Sequence, residues 1–169
     1  MKVFGAMTLL VTGVGVGMSA RHTLTRRIAM LSLFERFLQR FSESIRYSAM
    51  SVADVLRVLA EMPEFSAFPI LRETVAHLSV DGEFRTAWRV TVTEQSRVWA
   101  LSEQETELFL NFADGLGTAD VVGEIHHCEY YSRRVRECLE ERKEEAHTRG
   151  GLYMALGLCG SSALALLLL

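Results

Sequence analysis

The chain has 169 residues, a length typical of a single domain, and 49% of its residues are hydrophobic. Its 18 basic and 21 acidic residues give a net charge of −3, which gives no reason to expect nucleic-acid binding. Its three cysteines are too few for a disulfide framework, and they fit a reducing compartment.

An uncharged segment occupies residues 3–20. Its length is close to the roughly 20 residues that a helix needs to cross the hydrocarbon core of a bilayer, which predicts a transmembrane helix. The alternative is a signal peptide cleaved near Ser19 or Ala20, which would make the mature chain a secreted helical protein.

A stripe of apolar side chains follows at steps of three and four residues, from Leu24 to Ile45. Such spacing predicts an amphipathic helix, and because no helix breaker intervenes we expect it to continue from residues 3–20. Ser51 and Asp54 then form a capping-box pattern, which predicts the start of a short helix.

Pro63 and Pro69 bracket a predicted loop. Apolar periodicity predicts two further helices, one near residues 70–78 and one over about residues 83–98. Strand patterns are nearly absent from the sequence. We therefore expect an all-α fold.

Ser102 and Glu105 form the clearest capping box in the chain and predict the start of another helix. This helix ends at the glycine-containing segment 115–120, and beyond it a long helical pattern with many charged residues leads toward Ala146. The segment between these two helices is the first candidate site.

This helix corner carries a signature of five residues, which are Gly115, Leu116, Gly117, Thr118 and Asp120. We expect Gly115 to end the first helix in the left-handed conformation and Gly117 to relieve the tight corner. Thr118 is expected to cap the following helix. The alternative is an anion-binding loop at a helix N-terminus.

A second uncharged segment occupies residues 150–169 and predicts a second transmembrane helix. Basic residues lie on the inner side of both segments, which places residues 21–149 in the cytoplasm. These basic residues are Arg21, Arg26, Arg27, Arg142, Lys143 and Arg149. The sequence thus predicts a cytosolic helical domain of about six helices between an N-terminal and a C-terminal transmembrane helix.

Small residues recur at four-residue spacing in both uncharged segments. Gly13 and Gly17 form one such pair, and Gly157 and Ser161 form the other. This spacing lets helices approach closely in lipid, so these residues are candidates for packing between the two spans or between copies in a homo-oligomer.

The strongest candidates for a chemical role are His126, His127 and Cys128, because imidazole and thiolate bind zinc. Adjacent helical residues point about 100° apart, and no second His or Cys has the spacing that a shared ligand face needs. We expect the histidines to lie on a polar helix face and Cys128 to pack in the apolar stripe. The sequence predicts no catalytic, metal or cofactor site; a membrane-anchored enzyme that uses Cys128 and nearby histidines is the alternative.

From Leu101 onward the chain resembles the stage III sporulation protein AB family. The resemblance is carried by the capping box at 102–105, the corner at 115–120, the long charged helix and the stretch GGLYMALG at 150–157. Glu124 departs from the family, in which glutamine is usual at this position.

This resemblance implies a non-enzymatic subunit of a secretion-like channel complex that joins mother cell and forespore during sporulation. It places the protein in the mother-cell membrane around the forespore. It also implies that the cytosolic domain is similar to the helical modules of the type II secretion platform protein. The implied partners are a cytosolic secretion-type ATPase and other membrane subunits of the same complex.

Overall fold

The computed structural model describes the backbone of residues 2–48, 50–81, 83–117 and 120–168, and the side chains of residues 22–48, 50–78, 83–117 and 120–148. Within these ranges the chain forms six α-helices and no β-strand, which confirms the all-α prediction. The helices are α1 (Lys2–Tyr47), α2 (Val52–Glu61), α3 (Pro69–Asp81), α4 (Phe84–Val98), α5 (Glu103–Asp114) and α6 (Val121–Leu168).

The chain divides into two compact units. One unit comprises residues 27–139 and contains the hydrophobic core. The other comprises residues 1–26 and 140–169, whose described backbone belongs to the first part of α1 and the last part of α6.

In the part of the chain that the structure describes, no helix has an apolar stretch long enough to cross a membrane. The predicted membrane segments 3–20 and 150–169 lie outside the residues whose side chains are described. The same holds for the small residues predicted to pack within them, namely Gly13, Gly17, Gly157 and Ser161.

The amphipathic stripe of α1 forms one wall of the core, as its spacing predicts. Leu31, Phe34, Leu38 and Phe41 on this stripe are fully buried. The buried face of α1 therefore presents aromatic rings at intervals of one helical turn, and the other helices pack against these rings.

Phe34 and Phe37 lie at the centre of an aromatic cluster. Phe34 stacks on Phe109 of α5 with ring centroids 4.0 Å apart, and Phe37 stacks on Trp88 of α4 at 5.8 Å. The indole nitrogen of Trp88 donates a 2.7 Å hydrogen bond to the carbonyl oxygen of Phe109, so this buried polar group is satisfied. Stacked and edge-on rings of this kind stabilise the core beyond the area that they bury.

The segment between Pro63 and Pro69 contributes more to the core than the predicted loop implies. Residues Pro63–Phe65 form a short 3-10 helix, and Phe65 and Phe68 are both fully buried. Their rings lie 6.3 Å and 5.8 Å from the ring of Phe37. Pro63 and Pro69 thus bracket a connection that is irregular but packs against the core.

Both predicted capping boxes start helices. Ser51 accepts a hydrogen bond from the backbone nitrogen of Asp54 at the start of α2. At the start of α5, Ser102 and Glu105 cap each other reciprocally. These local patterns predict helix N-termini because they satisfy backbone donors that have no partner inside the helix.

The side chain of Glu105 is fully buried and also binds α1. Its Oε2 atom accepts a 2.7 Å hydrogen bond from the backbone nitrogen of Ser102 and a 2.8 Å hydrogen bond from Nε of Arg27. Arg27 is itself only 17% exposed. One carboxylate therefore caps α5 and fixes its first turn to α1.

We predict that Glu105→Ala lowers the free energy of unfolding by about 3 kcal/mol, because it removes the cap and leaves the largely buried Arg27 without its counter-charge. Glu103→Ala is the matched control, since Glu103 lies in the same first turn but is exposed. It should change stability by about 0.5 kcal/mol or less. Urea unfolding followed by tryptophan fluorescence measures both, and equal effects of the two variants would contradict this role of Glu105.

Candidate functional site

The corner between α5 and α6 differs from the sequence prediction at Gly115. This residue has φ −93° and ψ −8°, a right-handed conformation, so the predicted left-handed helix end is wrong. Glycine is needed here for space: a Cβ atom would lie 2.8 Å from Nδ1 of His127 and nearer still to its Cε1. The ring of His127 occupies the position of the missing side chain.

Gly117 is the residue of the corner that adopts a left-handed conformation, with φ +78°. A Cβ atom on Gly117 would meet nothing within 4 Å. Glycine is therefore favoured at position 117 by the backbone conformation alone. At position 115 it is favoured by the close approach of the His127 ring. Leu116 between them is buried, with 5% exposure, and belongs to the core.

The N-terminus of α6 is capped by Asp120. Its Oδ1 atom accepts a 2.9 Å hydrogen bond from the backbone nitrogen of Gly123, and its carbonyl oxygen accepts one from the backbone nitrogen of Glu124. This is the pattern of an N-cap residue. Thr118, the residue predicted to cap this helix, lies outside the described residues.

Glu124 closes the corner from the first turn of α6. Its side chain is buried, and its Oε1 atom accepts a 2.7 Å hydrogen bond from the backbone nitrogen of Gly117. The alternative of an anion-binding loop is disfavoured, because the chain's own carboxyl groups accept the backbone hydrogen bonds of Gly117 and Gly123.

His127 is not on a polar face, contrary to the sequence prediction. Its Nε2 atom lies 2.8 Å from the carbonyl oxygen of Phe112, and because a carbonyl oxygen only accepts, Nε2 must carry the hydrogen. The imidazole ring also stacks on Phe112 and contacts Tyr131, with centroid distances of 5.6 Å and 4.7 Å. His127 therefore binds the end of α5, whereas His126 is exposed.

Cys128 packs in the core, as its place in the apolar stripe predicts. It is 1% exposed, and burial, aided by the negative charges of Glu124 and Glu129, raises the pKa of its thiol to about 12. The thiol is therefore neutral at physiological pH, and a neutral thiol is a poor nucleophile and metal ligand. Cys138 is also buried, and both are free thiols.

The described residues contain no group of three or more His, Cys, Asp or Glu side chains placed to hold a metal ion. His126 and Cys128, two residues apart on α6, differ in exposure, since one side chain is exposed and the other is buried. The three consecutive residues His126, His127 and Cys128 thus lie in different environments and do not form a common site.

A groove of about 360 Å³ lies between α1 and α6 on the outside of the helical domain. Leu38 and Cys128, both buried, lie at its base, and polar side chains form its sides. Two ion pairs join the two helices here: Arg136 Nε lies 2.8 Å from Glu35 Oε1, and Arg46 Nη2 lies 3.6 Å from Glu129 Oε1. Sequence patterns do not reveal this groove, because its two sides are about 90 residues apart in the chain.

The described residues define an all-helical scaffold with an open polar groove and with a corner in which Glu124 and Asp120 bind backbone nitrogens of the chain itself. The chain belongs to the stage III sporulation protein AB family, whose family model matches residues 2–169, so it is a sporulation protein. The resemblance inferred chiefly from residue 101 onward is thereby confirmed over the whole length. Searches of curated proteins and of solved structures return no match.

We predict that Gly115→Ala lowers the free energy of unfolding by about 2 kcal/mol, because the added methyl group overlaps the ring of His127. In a His127→Ala background the same change should cost much less, since the obstructing ring is gone. Gly117→Ala should cost about 1 kcal/mol in either background, because its cost comes from backbone conformation. A double-mutant cycle in urea measures all three, and additivity of the Gly115 and His127 changes would contradict the close contact.

We also predict that Cys128 is unreactive in the folded chain. At pH 8 its alkylation by iodoacetamide should be at least about 100-fold slower than in 8 M urea, because burial limits access to the thiol and raises its pKa to about 12. Peptide mass spectrometry over a time course measures this rate at Cys128 separately from the other cysteines. Similar rates in the folded and unfolded chain would contradict the burial of Cys128.

Proposed function

We propose that this chain is a non-enzymatic membrane platform subunit of a sporulation-specific, secretion-like channel complex that joins mother cell and forespore. The observation that carries the proposal is the family match over residues 2–169. The all-helical domain supports it, because such a domain offers helix faces and inter-helix grooves for protein contacts.

In this proposal residues 3–20 and 150–169 are transmembrane helices that hold residues 21–149 at the cytoplasmic side of the mother-cell membrane around the forespore. The supporting observations are the absence of charge in both segments and the basic residues on their inner sides. Both segments also belong to uninterrupted helices, α1 and α6, that continue into the domain. The small residues of the two segments would pack the spans against each other or against a second copy.

The secreted alternative is disfavoured by the helical backbone at its cleavage point. Ser19 and Ala20 lie inside α1, which extends without interruption to Tyr47. Leu24 and the other apolar residues of the buried stripe lie in the same helix.

The enzyme alternative is disfavoured by the chemistry of its proposed residues. The raised pKa of Cys128 leaves almost no thiolate, and His127 hydrogen-bonds the backbone of α5. A scaffold role needs neither group to be reactive, and it fits their use in packing. We therefore propose that the domain acts through binding, with a secretion-type ATPase and other membrane subunits of the complex as its partners.

The proposal predicts that the full-length, affinity-tagged chain retains a secretion-type ATPase when it is extracted in mild detergent from membranes of sporulating cells. The ATPase should be enriched relative to the same extraction from cells with the untagged chain. Quantitative mass spectrometry of both fractions makes the comparison. Recovery of intact tagged chain without enriched ATPase would contradict the docking proposal.

A further inference from the structure

The charges around the α1–α6 groove are compensated within the chain, with one exception. Glu43 pairs with Arg40 at 3.2 Å, Glu129 with Arg46, and Arg136 with Glu35. Each of these three ionised side chains therefore already has a counter-charge within the chain.

Arg133 is the exception among the described residues that line the groove. Its guanidinium group makes no ion pair and no hydrogen bond within the described chain, and its side chain is exposed. Arg134, the next residue, has its counter-charge in Glu137 at 3.1 Å and is not part of the groove lining. The groove therefore presents one uncompensated positive charge.

Three neutral polar side chains line the same groove and form no hydrogen bonds of their own within the described chain. Gln39 and Ser42 of α1 and Ser132 of α6 line the groove, and their side chains form no hydrogen bond within the described residues. An amide and two hydroxyl groups can each donate to or accept from a ligand. They form a polar surface that is suited to a carboxylate and the groups next to it.

The length of the groove along α6 matches a short helical contact. On α6 it extends from Cys128 to Arg136, which is about 12 Å or two helical turns. A cleft between two helices receives a third helix by the same packing that joins helices in a domain. A strand is a poorer match, because the groove lining consists of side chains on helices and offers no row of free backbone donors.

The balance of charge favours a singly charged group. Glu43 and Glu129 also line the groove but are paired with arginines, so Arg133 leaves a single unpaired positive charge, which one carboxylate balances and a phosphate dianion exceeds. A single Glu or Asp side chain would be attracted by Arg133 through a bidentate, charge-assisted pair. A nucleic acid is disfavoured because one unpaired arginine cannot neutralise a run of phosphodiester groups.

We infer that the α1–α6 groove is a docking site for a helical segment of another protein, and that an acidic residue of this segment pairs with Arg133. The inference rests on the proposed function only in that the partner is another subunit of the sporulation complex. It assigns a specific surface and a specific chemistry to a partner contact.

The test compares Arg133→Glu with Arg134→Glu in the full-length chain during sporulation. These two substitutions make the same change of charge on neighbouring residues, one inside the groove and one outside it. We expect Arg133→Glu to lower the yield of heat-resistant spores by at least about tenfold, because it places three carboxylates in the groove and repels the acidic partner. Arg134→Glu should stay within about twofold of the wild type, as expected for an exposed ion pair.

Two further variants separate binding from folding. Arg133→Lys keeps the positive charge and should retain most of the spore yield. Ser132→Trp fills the groove without changing its charge and should reproduce the defect of Arg133→Glu. Thermal unfolding of the purified chains should show no loss of stability for either defective variant.

Suppressor selection in the Arg133→Glu strain then identifies the partner. We expect suppressors that replace an acidic residue by Lys or Arg in a helical segment of another subunit. Wild-type spore yield from both Arg133→Glu and Ser132→Trp would overturn the inference. Suppressors that arise only within this chain would also overturn it, because they would indicate contact with a second copy or a structural role. The absence of any charge-reversing suppressor would overturn it as well and would indicate a small anion.

The outcome is independent of the ATPase experiment. If the ATPase does not copurify with the wild-type chain, its docking fails, whereas a charge-reversing suppressor in another subunit still supports the groove. If the ATPase copurifies and the groove variants sporulate normally, the proposed function stands and the groove inference fails.

Discussion

The stacking of aromatic rings on the buried face of α1 is the interaction on which the helical domain depends. Phe34 and Phe37 contact rings from α4, from α5 and from the segment that joins α2 to α3, and all of these rings are fully buried. Each of these elements therefore packs on the same short stretch of one helix. Because the rings share contacts, a change at Phe34 or Phe37 would loosen several helices together.

Buried carboxyl groups fix α5 at both of its ends. Glu105 holds the backbone nitrogen of Ser102 at the start of the helix, and Glu124 holds that of Gly117 beyond its end. Each accepts a hydrogen bond from a backbone nitrogen that lies outside the regular hydrogen bonding of α5. The groove is the opposite case, since Arg133 and its neutral neighbours retain unused hydrogen-bonding capacity at the surface. This contrast is why we attribute structure to the corner and recognition to the groove.

Sequence patterns predicted those features that depend on residues close together in the chain. The capping boxes at Ser51 and Ser102 and the apolar stripe of α1 are local, and the structure contains them. The partner of Glu105 on α1, Arg27, is 78 residues away and the partner of His127 is 15 residues away, so no spacing rule reveals them. Gly115 shows the same limit: the sequence suggests a special backbone conformation, but the glycine is needed because a distant ring approaches it.

We propose that this chain is a subunit of the membrane complex between mother cell and forespore. Fluorescence microscopy of a tagged full-length chain during sporulation tests it most directly. We expect the fluorescence to be confined to the membrane that surrounds the forespore. Uniform fluorescence in the cytoplasm of the mother cell, or protein recovered from the medium, would contradict it.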